Sequence, residues 1–263
     1  SDENLLKLKL LKEKYGLEFF TTPGDISSLN RIKKLGMKAI KISSGLMTNL
    51  PLVEESIKTR LPLIISLGMA YEKEILKIKK LLDRYNHKKY VFLKCTAEYP
   101  TADSFVNISS MGTIKEKFKS LVGYSDHTLD DLACLHAVSL GAVVIEKHFT
   151  TDTNIKGADN KISMLPKDFK LMISKINRIL LQKGNLNISP TKKEVTERLL
   201  RHRYFVASCN IQKGDKFSLK NLNMKRVTNA NNAIKSYDKH KLLDKKSKTN
   251  IKVGEVILTN YVW

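Results

Sequence analysis

Cysteine is scarce in this 263-residue chain: only Cys95, Cys134 and Cys209 occur. An odd number without metal-ligand spacing suggests neither a disulfide framework nor a cysteine metal site, and fits a reducing, cytoplasmic setting. No apolar run approaches the roughly 20 residues that a membrane-spanning helix needs. Ser1-Asp2-Glu3-Asn4 lacks the basic start and apolar core of a signal peptide. Zinc-finger spacing is missing, as are the aromatic-interleaved basic stretches of an RNA-binding sheet. Neither a membrane nor a specific nucleic acid is therefore expected as a partner. A disordered chain is also excluded, because 42% hydrophobic and 28% charged residues form an ordinary globular mixture.

Positive charge is in excess. The 47 basic and 26 acidic side chains leave a formal charge of +21. Such a surplus suits nucleic acid, a membrane surface or anionic small molecules. The lysines are nevertheless scattered, as on solvated faces.

The first 180 or so residues alternate between helical and strand-like patterns. Leu5, Leu6, Leu8, Leu10 and Leu11 among lysines predict a helix with one apolar face. Short apolar runs then recur at Leu17–Thr21, Ala39–Ser43, Leu63–Ser66, Tyr90–Cys95, Ser120–Tyr124 and Ala142–Glu146. This is the rhythm of βα units around a parallel sheet, whose doubly buried strands are almost continuously apolar. Each run ends in polar residues: Thr21-Thr22, Lys41 to Gly45, Ser66-Leu67-Gly68, Cys95 to Tyr99, Ser125-Asp126-His127 and Glu146-Lys147-His148. A (β/α)8 barrel collects its chemistry at the carboxyl ends of its strands. Six runs are visible where such a barrel has eight, so the expectation is a TIM-type barrel lacking its first two strands. Residues 1–183 are assigned to this partial barrel and the turn-rich stretch 184–200 to a linker. Residues 201–263 are read as a small β-rich domain. It carries the near-repeat Ile211-Gln212-Lys213-Gly214-Asp215 and Ile251-Lys252-Val253-Gly254-Glu255, with glycine placed for tight turns.

His127 and His148 end successive strands and can meet above the sheet, where two imidazoles with water or substrate oxygens would hold a divalent cation. Lys41 with Ser44, Ser66 and Ser125 makes a natural phosphate site. Lys41 is equally placed for Schiff-base chemistry. Glu146 stands two residues before His148, hence on the same face of a strand, where a carboxylate orients water or moves protons. Asp159 falls in the loop that follows.

Together these motifs resemble the sialic acid synthase family. Phe20-Thr21-Thr22-Pro23 with Asp25 resembles its third strand. Lys41 to Gly45 with Thr48-Asn49-Leu50-Pro51-Leu52 resembles its fourth, and Cys95-Thr96 with Tyr99-Pro100-Thr101 and Val106-Asn107 its sixth. Gly123-Tyr124-Ser125-Asp126-His127-Thr128 and Ile145-Glu146-Lys147-His148-Phe149-Thr150 resemble its last two strands and are the most specific. Gly157-Ala158-Asp159 to Ser163-Met164 is similar to the loop beyond. Val206-Ala207, Ile211 to Asp215 and Met224-Lys225-Arg226 resemble the family's antifreeze-like (SAF) domain.

The resemblance implies condensation of phosphoenolpyruvate with an open-chain N-acetylmannosamine-type sugar, an N-acetylated hexosamine, to a nine-carbon 2-keto acid and phosphate. It implies His127 and His148 as ligands of Mn²⁺, or of Mg²⁺ or Co²⁺. Lys41, Ser44, Ser66 and Ser125 match positions that hold phosphoenolpyruvate, while Glu146, Tyr99 and Asp159 match positions around the sugar. Arg226 matches an arginine that reaches the partner's site in a domain-swapped homodimer. The sugar is implied only as a class: N-acetylmannosamine, its phosphate, or a bacillosamine-derived sugar leading to legionaminic acid, which Glu98-Tyr99 resembles most.

The chain departs from the pattern at several positions. Leu46 stands in place of a glutamate, Ala97 in place of a polar residue and Leu67 in place of a threonine. Val227-Thr228-Asn229-Ala230 replaces a Pro-Gly-Asn-Gly run. The glutamate, lysine and glutamine of the first two strands are unmatched. Two alternatives to the synthase follow: a degenerate barrel that binds anionic sugars without turnover, or a Schiff-base aldolase using Lys41. Phosphate release is expected to be weak or absent until an upstream segment is supplied; an extended chain that releases no more phosphate would contradict this.

Overall fold

The computed structural model describes residues 2–157, 159–228 and 231–263. Ser1, Ala158, Asn229 and Ala230, named in motifs above, lie outside the described residues. The chain divides into two compact units, Ser1–Gly184 and Asn185–Trp263.

The first unit runs α1 (Asp2–Tyr15), α2 (Ile26–Lys34), β1 (Ile40–Ile42), α3 (Leu50–Lys58), β2 (Leu63–Ser66), α4 (Glu72–Arg84), β3 (Tyr90–Cys95), α5 (Asp103–Val106), α6 (Ser110–Phe118), β4 (Leu121–Asp126), α7 (Leu132–Ser139), β5 (Ile145–Lys147) and α8 (Pro166–Lys183). Its five strands form one sheet in the order β1-β2-β3-β4-β5, with every neighbouring pair parallel. This is an open half-barrel: each crossover returns the chain to the same edge, so all carboxyl ends emerge together. Local chemistry starts the helices. Asp25 caps α2 by accepting from the Ser28 amide at 2.6 Å, and Asn49 caps α3 ahead of Pro51. The core is built from strand residues such as Ile40, Ile42, Ile65 and Phe92 against Ile57, Ile78 and Cys134, all 0% exposed.

Two expectations are corrected. The run Leu17–Thr21 is not a strand; it contributes only a parallel bridge, Thr21 to Ile40. β1 is the one described strand beside it, Leu17 and Phe20 stay exposed, and of its apolar residues only Phe19 packs against the core. Helix α1 forms, but Leu6, Leu8, Leu10 and Leu11 are all exposed within this chain. At 100° per residue these leucines spread around the helix and do not line one stripe.

In the second unit, α9 (Lys192–Arg201) occupies part of the stretch read as a linker. It is started by a capping box, Thr191 accepting from the Glu194 amide and Glu194 from the Thr191 amide. Strands β6 (Tyr204–Ala207) and β7 (Leu222–Lys225) pair antiparallel. The near-repeat becomes a pseudo-symmetric pair. Ile211 and Ile251 exchange backbone hydrogen bonds of 2.9 and 2.8 Å. Asn250 accepts from the Lys213 amide, while Asn210 accepts from the Val253 amide. Gly214 and Gly254 take φ of +96° and +83° at the two turns.

Within the sheet, Gly123 is required by packing. A Cβ there would lie 2.5 Å from the Val144 carbonyl oxygen and 2.6 Å from Leu93 Cδ2. Gly123→Ala is therefore expected to destabilise the first unit by about 1–3 kcal/mol, read as a lower urea midpoint at unchanged slope.

Candidate functional site

The strand register fixes which side chains meet. Cys95 on β3 pairs with Ser125 on β4, and Ser125 with Glu146 on β5. Because strand side chains alternate, His127 shares a face with Ser125, and His148 with Glu146. That face closes a cleft of about 470 Å³, within the usual size of small-molecule sites. Its lining includes Lys41, Ser44, Ser66, Ser125, Tyr99, His127, Glu146 and His148, eight of the ten residues singled out from sequence.

At one end Lys41, only 8% exposed, places its ammonium 3.4 Å from Glu146 Oε1. The Ser125 hydroxyl donates to the same oxygen at 2.7 Å. Ser44 Oγ accepts from the Gly68 amide at 3.0 Å. Ser66 Oγ is buried and has no hydrogen-bond partner. An orphaned hydroxyl costs free energy and here faces the same cleft as Lys41.

At the other end the rings of His127 and His148 lie 5.3 Å apart, with the Tyr99 ring 4.0 Å from the first and 5.8 Å from the second. His127 Nδ1 is 2.7 Å from the Thr96 carbonyl oxygen. A carbonyl only accepts, so Nδ1 carries a proton, and in the neutral ring Nε2 keeps its lone pair; a second group orienting a metal-binding imidazole works in this way. Burial opposes charge on His127, yet the Cys95 thiol and the Thr96 carbonyl outweigh it and raise its pKa. Burial lowers the pKa of His148, only partly offset by Asp159. Among the described residues no group of three or more His, Cys, Asp or Glu is placed to hold a metal ion. A cation here would rest on two imidazoles and complete its shell with water or substrate oxygens.

The remaining two residues are not part of this lining. Asp159 does not line the cleft; its Oδ2 is 3.8 Å from His148 Nδ1, beyond hydrogen-bond length. Arg226 belongs to the second unit, exposed directly after β7. Of the departures from the family pattern, Ala97 lines the cleft, whereas Leu46 packs against the apolar core.

Sequence reasoning missed the polar cluster on the opposite face of the sheet. Lys147 and Asp126, both 0% exposed at their side chains, pair at 2.6 Å. Asp126 also accepts from Tyr124 at 2.9 Å, from the Thr128 amide and hydroxyl, and from Cys134 at 3.4 Å. Lys147 donates in addition to the Thr128 carbonyl. The available signal was opposite charge at the same step of two strands, each immediately before a histidine.

A family model described as the NeuB family matches residues 1–187. The chain is 37% identical to the N,N'-diacetyllegionaminic acid synthase of Campylobacter jejuni over 253 residues, covering 95% of this chain and 75% of that one. It is 34% identical to the pseudaminic acid synthase of the same organism over 246 residues, covering 92% and 69%. The crystal structure of the N-acetylneuraminic acid (sialic acid) synthetase of Leptospira borgpetersenii superposes with a TM-score of 0.71 at 31% identity, over 75% of this chain and 70% of that one. No helix among the described residues is long and apolar enough to cross a membrane.

A pH effect follows from the cluster behind the site. Burial alone would raise the pKa of Asp126, but the Lys147 ammonium and the other donors outweigh it and lower the value. A carboxylate depressed on folding contributes stability that is present above its ordinary value near 4 and is lost as pH falls through the folded value. Urea midpoints should therefore fall as pH drops below about 4, and Asp126→Asn should flatten that acid limb; an unchanged limb would contradict it. On these sequence and structural matches, the chain belongs to the NeuB family, that of the sialic acid synthases.

Proposed function

We propose that the cleft condenses phosphoenolpyruvate with an open-chain, N-acetylated hexosamine, giving a nine-carbon 2-keto acid and phosphate. One observation carries the reading: a buried lysine, an unpartnered buried hydroxyl and two adjacent imidazoles share one cleft at the carboxyl ends of parallel strands. Relatives named for the synthesis of legionaminic and pseudaminic acids support the reaction class. The N,N'-diacetyl product named for the former relative favours a diacetamido sugar.

In this reading Lys41 supplies the countercharge for phosphoenolpyruvate, and Ser44, Ser66 and Ser125 hydrogen-bond it. An anionic oxygen satisfies the orphaned Ser66 hydroxyl. Tyr99 flanks the sugar, and Asp159, outside the cleft lining, would approach it only past His148. His127 and His148 would hold a divalent ion, Mn²⁺ or else Mg²⁺ or Co²⁺, and the free Nε2 of His127 fits that role. When bound, the ion polarises the sugar aldehyde as a Lewis acid. The enol carbon of phosphoenolpyruvate attacks the aldehyde carbon, whose oxygen takes up a proton. Water adds to the resulting oxocarbenium carbon and loses its proton to Glu146, a carboxylate held in place by Ser125 and Lys41. The tetrahedral carbon then expels phosphate with its bridging oxygen, its hydroxyl proton leaving with the phosphate, and becomes a ketone.

The second unit is proposed to be an antifreeze-like (SAF) domain, on the strength of its paired Ile211 and Ile251 turns. Its Arg226 would complete the partner's site in a domain-swapped homodimer. A second reading, binding of anionic sugars without turnover, is favoured by Ala97 in the cleft wall.

The test is phosphate release from phosphoenolpyruvate against N-acetylmannosamine, its phosphate and a diacetamido sugar, with and without Mn²⁺. From a chain extended upstream, release is expected only with a sugar and the cation present. Glu146→Gln should slow it by about 10²–10⁴-fold. Ser66→Ala should raise KM for phosphoenolpyruvate without loss of folding stability, because it removes an unsatisfied buried hydroxyl. Sugar binding without phosphate release would support the second reading. Borohydride trapping of pyruvate on Lys41 would replace both with a Schiff-base aldolase.

A further inference from the structure

The two imidazoles stand on separate strands, so something must set their spacing. Backbone pairing fixes register but not the angle at which two short strand ends diverge. β5 is only three residues long, Ile145–Lys147, and His148 lies just beyond its end. His127 likewise lies one residue past β4. Each histidine is therefore carried on chain that has left the ladder.

The residue before each histidine is tied to the other strand. Asp126 and Lys147 are register partners, and their side chains meet at 2.6 Å on the face away from the cleft, fully buried. The tie extends past His127, because Thr128, 3% exposed, donates its amide and hydroxyl to Asp126 and accepts at its carbonyl from Lys147. His127 is thus bracketed by two residues of one polar cluster. His148 has a brace on its other side, where its carbonyl accepts from the Met164 amide at 2.8 Å. Tyr124 and Cys134 fill the remaining sites on Asp126.

We propose that the Asp126–Lys147 pair is a positioning device that sets the distance between His127 and His148 from behind the sheet. Neither residue reaches the cleft, and both act only through the imidazoles. The claim about spacing stands on geometry; its consequence for a divalent ion rests on the function proposed above. A buried ion pair replaced by an apolar pair often leaves a protein as stable as before, so stability alone does not explain its presence here.

The experiment separates the two. In the full chain, NMR cross-peaks between the ring protons of His127, His148 and Tyr99 report spacing without any metal, and titration with Mn²⁺ reports affinity. Lys147→Met should abolish the His127–His148 cross-peak and raise the Mn²⁺ dissociation constant by about 10- to 100-fold. Because this variant strands a buried carboxylate, the neutral double variant Asp126→Asn with Lys147→Met is made beside it and should behave alike. Leu82→Ala, a core substitution on α4, should keep the cross-peak and so control for general loosening. Folded pair variants that retain the wild-type cross-peak would overturn the proposal. A wild-type chain with the cross-peak but no Mn²⁺ binding would instead overturn the metal reading, leaving the cross-peaks of the variants to decide on spacing.

Discussion

The parallel pairing of β4 with β5 is the constraint on which the site depends. Its register sets Ser125 beside Glu146 on the cleft face and Asp126 beside Lys147 on the other. A slip of one residue would exchange the two faces. Slipping β5 alone would turn His148 out of the cleft, bring Lys147 into it and leave the Asp126 carboxylate unpaired behind the sheet. The chemistry on one side and the charge burial on the other are thus consequences of a single alignment.

Magnitudes show how much is staked on that alignment. Removing one partner of a buried ion pair costs about 3–5 kcal/mol, against a typical total stability of about 5–15 kcal/mol. Asp126 tolerates burial because several donors surround it; Lys147 does so because it has both a carboxylate and a carbonyl. The cleft is arranged differently. Glu146 and Lys41 also pair, but at 3.4 Å and with the carboxylate side chain 39% exposed. A looser, wetter pair can be parted by an incoming anion at small cost, whereas the pair behind the sheet cannot.

Much of this was legible in the residues. Leu63–Ser66 and Tyr90–Cys95 read as strands because parallel strands buried on both faces are continuously apolar, and both formed. The cleft residues were legible because parallel strands deliver their carboxyl ends to one place. Leu17–Thr21 misled because composition does not reveal whether a run has neighbours on both sides. The α1 leucines misled because their number was read as a face without regard to angle. α9 was announced by Thr191 and Glu194, a capping box three residues apart, but proline and asparagine just upstream drew the reading toward a linker. The Asp126–Lys147 pair was hidden because strand charges are ordinarily assigned to solvent, and only the register brings these two together. Asp159 lies in a loop and Arg226 in the second unit, and strand periodicity encodes neither placement.

The reaction proposed for the cleft breaks the bond between carbon and the bridging oxygen of phosphoenolpyruvate, whereas simple dephosphorylation breaks the bond between that oxygen and phosphorus. Phosphoenolpyruvate labelled with ¹⁸O at the bridging position distinguishes them in one turnover experiment. The account predicts that the label leaves with phosphate when sugar is present. Label retained in the keto acid product, with unlabelled phosphate released, would contradict it.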